Sequence, residues 1–422
     1  MRWLCPARAL FMTAALGLSG NGFADESTEV LKAEIEALKA RIEVLEQRRP
    51  IKEQLLNTAT IGSEQVSEKK ASRESPKRDI KVGGALRFNL LYQEDADASV
   101  GKRGESGLDV FRFNVDGQRD NVLISAEYRF YPYMSVLHHG WVGYEFEDAS
   151  QLQLGITQVP FGILPYASHN AWAGVPYYVG LADDYDMGIK YQRERGPWSM
   201  HFAFFKNEEF NDATNLDRYG FDLVRVGEQQ NEEVNQLNAR LAYTFGETTA
   251  CETQLGASVE AGQMYNTLSE ERGDRWAGAA HLDNRCGRWS LQLQSAQYRY
   301  SAADPAGVDD SVVRVGAFAG SYDIDSDARV WVANLAYNLP VSWPLLDSVT
   351  CYNDYSRLDK SIAGATDSEI NTTGCAIGSG PLFTYIDYIL AKNMPYFGQG
   401  SLAGGGEDDW QGRFNINIGY YW

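Results

Sequence analysis

The 422-residue chain lacks long hydrophobic runs. Past its first two dozen residues the apolar stretches are broken by Gly, Asn, Arg or Asp every few positions, short of the roughly 20 apolar residues a membrane-spanning helix needs. Proline is scarce, at 13 residues against 40 Gly. Histidine is scarce too. The five, His138, His139, His169, His201 and His281, fall in no HExxH or GxSxG context, and no CxxC or HxxxH spacing offers metal ligands, so neither a hydrolase nor a metal centre is indicated. Ser168 beside His169 is sequence adjacency only, because catalytic triads assemble in space. Basic charge is also short, with 38 Lys and Arg against 57 Asp and Glu and a formal charge of −19. No cofactor and no nucleic-acid partner are expected.

What the chain does have begins at its N-terminus. Arg2 and Arg8 precede an apolar run from Ala9 to Leu18, and small residues end at Ala24, so residues 1–24 read as a secretory signal peptide. Cys5 lies within it. The other four cysteines form two sequence-local pairs, Cys251 with Cys286 and Cys351 with Cys375, each bracketing one polar loop. Two cysteines facing each other across a hairpin would be spaced this way, and an oxidising compartment permits both bonds. Each bond would be worth roughly 3–4 kcal/mol by loop entropy; the alternative is four inert thiols.

Residues 25–79 form a distinct segment. Leu31, Ile35, Leu38, Ile42 and Leu45 recur at spacings of four and three between charged residues, which is a heptad seam and predicts a short coiled coil over 25–49 that favours self-association. A single amphipathic helix on a surface is the alternative. Pro50 ends it, and a Ser-, Glu- and Lys-rich stretch over 50–79 reads as a flexible linker.

From Ile80 the period changes to two. Val82, Leu86, Phe88 and Leu90 alternate with Lys81, Arg87 and Asn89, and Leu237, Leu241, Tyr243 and Phe245 with Asn238, Arg240 and Thr244. One face is apolar and the other polar, as a strand between lipid and water requires. Such strands are predicted at 80–92, 108–117, 120–131, 134–147, 150–159, 184–193, 198–207, 233–245, 250–266, 276–286, 288–300, 328–339, 348–358, 369–378, 382–394 and 411–422. Short turns alternate with long polar loops, and an even strand number brings both barrel ends to one side of the membrane. Residues 311–321 are assigned to a loop, although Val313, Val315 and Ala317 alternate. The last face, Phe414, Ile416, Ile418, Tyr420 and Trp422, ends on an aromatic at the terminal carboxylate. The expected fold is all-β, a 16-stranded antiparallel transmembrane β-barrel over 80–422 in the bacterial outer membrane, preceded by a short N-terminal coiled-coil helix. A soluble periplasmic β-protein and a barrel enzyme are the rivals.

Three stretches carry a family resemblance: Gln158-Val159-Pro160-Phe161-Gly162, Asp186-Met187-Gly188-Ile189-Lys190-Tyr191, and Val332 to Pro340. With the layout of leader, coiled coil and barrel, the chain resembles the phosphate-selective porin O and P family. The resemblance implies an outer-membrane homotrimer in contact with lipid, passive diffusion of small ions or solutes, phosphate or other anions among them, and a constriction formed by an inward loop near 160–182. The barrel's own charge argues otherwise: residues 80–422 hold 45 carboxylates against 25 Lys and Arg, a field that repels phosphate at long range, and a cation-preferring or sugar-type general porin is the alternative. Strand alternation nominates Arg87, Arg112, Glu127, Arg129, Lys190, Arg240 and Arg413 as pore-lining residues. In the constriction loop Phe161, Tyr166, His169, Trp172, Tyr177 and Tyr178 are candidates, either to stack on solutes or to pack the loop against the wall.

Overall fold

The computed structural model describes residues 78–246, 250–398, 400–406 and 408–422. The expected signal peptide and coiled coil, and nearly all of the linker, lie outside the described residues. Sixteen strands close into one antiparallel barrel. In chain order they are β1 (Arg78–Gln93), β2 (Glu105–Arg119), β3 (Val122–Phe130), β4 (Ser135–Glu145), β5 (Gln151–Gln158), β6 (Tyr185–Arg195), β7 (Trp198–Asn207), β9 (Asn231–Phe245), β10 (Cys251–Asn266), β11 (Arg272–Cys286), β12 (Trp289–Ser301), β15 (Asp327–Asn338), β16 (Ser348–Lys360), β17 (Ser368–Ser379), β18 (Leu382–Lys392) and β19 (Trp410–Tyr421). Each corresponds to a predicted strand. Closure leaves no unpaired edge, the only way a sheet can satisfy its backbone inside hydrocarbon.

The period-2 pattern sorts side chains as the physics of the two solvents demands. On β9, Leu237 and Leu241 are 61% and 45% exposed, whereas Asn238 and Arg240 are 4% and 3% exposed. Apolar residues thus face outward, the inverse of a water-soluble sandwich. Cys251 sits directly opposite Cys286, and Cys351 opposite Cys375; each pair is disulfide-bonded, with Cα atoms 3.9 and 4.0 Å apart.

One prediction is corrected. Residues 311–321 are not loop: they supply β13 (Val312–Ala317) and the start of β14 (Gly320–Asp325). These join β8 (Asp222–Leu223) in a separate three-stranded sheet, ordered β14-β13-β8. Their alternation is genuine strand alternation, but its apolar side meets other loops rather than lipid, so the barrel keeps its even count. Two short helices, α1 (Asp97–Lys102) and α2 (Val175–Tyr178), complete the described elements.

The seam between first and last strands is closed by the C-terminal aromatic. Gly84 and Trp422 exchange backbone hydrogen bonds at 3.2 and 3.3 Å, and the Trp422 indole stacks against Phe111 at 5.9 Å. Gly84 leaves the space: a Cβ there would lie 2.4 Å from the Arg112 carbonyl oxygen and 2.5 Å from the indole. Gly84→Leu should therefore cost about 1–3 kcal/mol by overpacking and reduce the folded fraction in heat-modifiable gel mobility after refolding. Trp422→Phe, which keeps a ring at the seam, should leave that fraction near wild type.

Candidate permeation pathway

Four loops at one end of the barrel fold into its lumen rather than away from it. Residues 159–184 contribute Val159, Phe161, Val175, Tyr177 and Tyr178; the loop after β7 gives Tyr219, Phe221 and Leu223; the loop after β12 gives Val313, Val315 and Ile324; the loop after β18 gives Met394, Phe397 and Leu402. These side chains make one continuous apolar cluster. Tyr177 meets Phe221 edge-on at 5.2 Å, Phe221 meets Phe318 at 6.1 Å and Tyr396 at 6.1 Å, and Trp172 meets Phe397 at 5.7 Å. The phenols are satisfied by backbone: Tyr177 donates to the Tyr219 carbonyl at 3.1 Å, Tyr322 to that of Tyr178 at 2.6 Å and Tyr396 to that of Ala317 at 3.0 Å.

The inward loop 159–184 is also fastened to the polar inner wall. Asp354 on β16 is its chief anchor: Oδ2 accepts from the backbone N–H groups of His169 and Asn170 at 2.6 and 3.2 Å and from Asn170 Nδ2 at 2.9 Å, while Oδ1 lies 2.8 Å from His169 Nδ1. Gly162 N–H donates to Ser258 Oγ at 3.0 Å, Ile163 N–H to Gln294 Oε1 at 2.9 Å and Val175 N–H to Ser356 Oγ at 2.9 Å. Arg240 Nε donates to the Gly162 carbonyl at 2.7 Å. The loops therefore fill the side of the lumen bounded by β9 to β16.

The other half stays open. A cavity of about 1150 Å³ extends from Phe318 and Tyr396 at the loop end to Asp347, Gly380 and Pro381 at the turn end. Arg87, Arg112, Arg129 and Arg413 border it, from four adjacent strands, β1, β2, β3 and β19. Arg112 and Arg129 are direct cross-strand partners. Arg87 pairs with Asp109 at 2.6 Å, and Glu127 lies 2.6 Å from Arg129 and 3.7 Å from Arg112. Among the described residues Arg413 has no carboxylate partner within ion-pair distance; its guanidinium lies over the Trp172 and Phe397 rings at 4.9 and 5.1 Å and donates to Gln93 Oε1 at 3.2 Å. Tyr166, Trp172, Tyr177, Tyr178, Tyr219 and Phe221 line the cavity too, and the Arg129 guanidinium lies over the Tyr219 ring at 4.4 Å. Asp183 also borders the cavity and accepts from Tyr219 Oη at 2.6 Å. Burial pushes its carboxyl up from its ordinary range, opposed by that hydrogen bond and by Arg129.

Of the seven pore-lining candidates, four thus border the cavity. Glu127 sits behind Arg112 and Arg129, Lys190 donates to the Gln158 carbonyl at 3.1 Å, and Arg240 is spent on the inward loop. Of the loop candidates, Tyr166, Trp172, Tyr177 and Tyr178 reach the cavity, whereas Phe161 is buried and His169 is held by Asp354. Sequence reasoning missed Tyr131, Tyr133, Tyr219, Phe221, Phe318 and Tyr396, which complete the aromatic side. Only the local density of Tyr and Phe near 128–133 and 219–221 hinted at them.

A closed barrel with an apolar exterior, inward-folded loops and a lined passage defines a bacterial outer-membrane porin, a diffusion channel rather than an enzyme. The phosphate-selective porin O and P family model matches residues 111–347, and the chain belongs to this family. No curated protein matches it in sequence. Among solved structures the fold is similar to the anion-selective porin from Comamonas acidovorans, at 13% identity and TM-score 0.54 over 82% of this chain and 100% of that one. It is similar too to the outer membrane channel DcaP of Acinetobacter baumannii, at 11% identity and TM-score 0.56 over 82% and 97% of the two chains. OmpT of Vibrio cholerae gives 13% identity and TM-score 0.54 over 83% and 99%.

Asp354→Ala removes the acceptor for several loop donors at once. It should weaken loop anchoring by on the order of 3 kcal/mol and raise open-channel noise in single-channel recordings, without loss of the folded barrel on gels.

Proposed function

We propose that this porin favours small anions and that they move along the arginine-bordered side of its lumen, driven only by their gradient. The observation that carries this reading is the distribution of charge in the lumen. Four guanidinium groups border the cavity side by side against three carboxylates, Asp109, Asp183 and Asp347, while Asp184, Asp186, Asp222, Glu233 and Glu260 are buried away from it. An ion responds to charges within a few ångström of its path more than to a screened net charge, so a net-acidic barrel can carry an anion passage. Unpaired and backed by aromatic faces, Arg413 offers the strongest point of attraction. The sugar-stacking reading is less well supported, because one face of Trp172 already carries the Arg413 guanidinium. The resemblance to phosphate-selective relatives supports phosphate as one solute.

The heptad seam over 25–49 and the family resemblance support a homotrimer in which these segments associate with one another. Each part of the reading has its own test. In planar bilayers under a KCl gradient, Arg413→Gln should lower the chloride-to-potassium permeability ratio on the order of sevenfold, because a unit charge about 7 Å away in water shifts the two ions by a Boltzmann factor of about 2.7 each in opposite directions. An unchanged ratio would remove Arg413 from the pathway. Deleting residues 25–49 should lower the temperature at which the oligomer dissociates on gels while leaving conductance per pore intact; equal resistance would deny the helix that role.

A further inference from the structure

On the half of the lumen away from the cavity, negative charge is buried without matching positive charge. Asp184 ends the inward loop, Asp186 follows on β6 and Asp222 lies on β8. One carboxylate oxygen from each falls within 4.8 Å of the others, and the three residues are 4%, 1% and 1% exposed. Two chain segments far apart in sequence, the start of β6 and β8, thus deliver their acids to one point.

Two further observations point to a missing ligand. Asp186, 1% exposed, has no hydrogen-bond partner at its buried Oδ1. The second is steric. Gly220 leaves the cluster clear, since a Cβ there would stand 2.4 Å from Asp184 Oδ1 and 3.6 Å from Asp222 Oδ2. The neighbouring arginines serve only one end of this acidic group. Arg218 reaches Asp222 at 3.2 Å, Glu209 at 3.4 Å and Glu208 at 3.8 Å. Arg275 is taken up by Glu233, and by Glu260 at 3.3 Å. Among the described residues neither Asp184 nor Asp186 has an ion-pair partner. A buried carboxylate needs a counter-charge or a metal.

We propose that Asp184, Asp186 and Asp222 bind a divalent cation and that the ion is calcium. The donor set is oxygen alone, with no imidazole or thiolate, which selects a hard cation. Ligands drawn from a loop end, a barrel strand and a loop strand suit the adaptable coordination of Ca²⁺ better than the strict octahedron of Mg²⁺. The ion ties the end of the inward loop to the wall and to the loop that carries Tyr219 and Phe221. It thereby holds the aromatic side of the passage in place.

The test uses the purified, folded full chain, stripped with EGTA and dialysed, with CaCl₂ as the only added probe. Wild type should bind one calcium per chain in calorimetry and melt at a higher temperature with calcium than without. Asp184→Asn and Asp186→Asn should bind roughly tenfold more weakly or less and lose most of the thermal response. In EGTA they should melt no lower than wild type, because each removes an unpaired buried charge. Absence of binding to wild type overturns the site, as does an unchanged thermal response in both variants. If the variants do not fold, terbium luminescence on wild type decides. A calcium-displaceable signal with a lifetime reporting few coordinated waters supports the buried site, and a fully hydrated lifetime or no displacement overturns it.

Discussion

Packing of aromatic loop side chains inside a polar-lined barrel is the interaction on which the rest of the structure depends. A sixteen-stranded wall by itself encloses a wide aqueous lumen. Here Tyr177, Phe221, Val315, Ile324 and Phe397, from four loops, bury one another within it, each large side chain contributing about 1.5–3 kcal/mol when withdrawn from water. Such a cluster has to rest on something, and the inner wall of β9 to β16 provides Ser258, Gln294, Asp354 and Ser356 as acceptors for loop N–H groups. Filling one side leaves the cavity on the other. The passage is thus off-centre because the loops are packed, and its lining is whatever β1 to β4 and β17 to β19 present.

This arrangement also reconciles an acidic chain with an arginine-bordered passage. Inner-face charge is uneven around the barrel, with carboxylates such as Asp109 on the open side as well. Arg87, Arg112, Arg129 and Arg413 fall on the open side, and Asp186, Glu233 and Glu260 are buried away from the cavity. Arg240 and Lys190 show why residue type alone does not assign a pore role. Both are inner-face cations, yet both have backbone carbonyls as partners.

The sequence made the wall legible because lipid outside and polar surroundings inside impose a strict period of two, and sixteen strands could be read from it directly. The same rule reports which face a residue occupies but not where around the ring it stands. Arg413 and Arg240 therefore looked equivalent until the loops were placed. Loop side chains follow no period, so Phe221, Phe318 and Tyr396 gave no signal of meeting. In β13 the alternation of Val313 and Val315 was visible, and its partner, Leu223 on β8, comes from another loop that no local pattern could supply. The Asp184, Asp186 and Asp222 cluster was hidden for the same reason, since its members come from a loop end, a barrel strand and a loop strand.

The central claim, that the passage runs along one side of the lumen while loops fill the other, is tested most directly by cysteine accessibility in open channels. Asn89→Cys lies on the cavity and Ser258→Cys beneath the inward loop. A charged, membrane-impermeant thiol reagent should react with the first and cut conductance, and leave the second untouched in folded protein. Equal reaction at both positions would mean the loops do not fill that side, and protection of Asn89→Cys with reaction at Ser258→Cys would place the passage on the opposite wall.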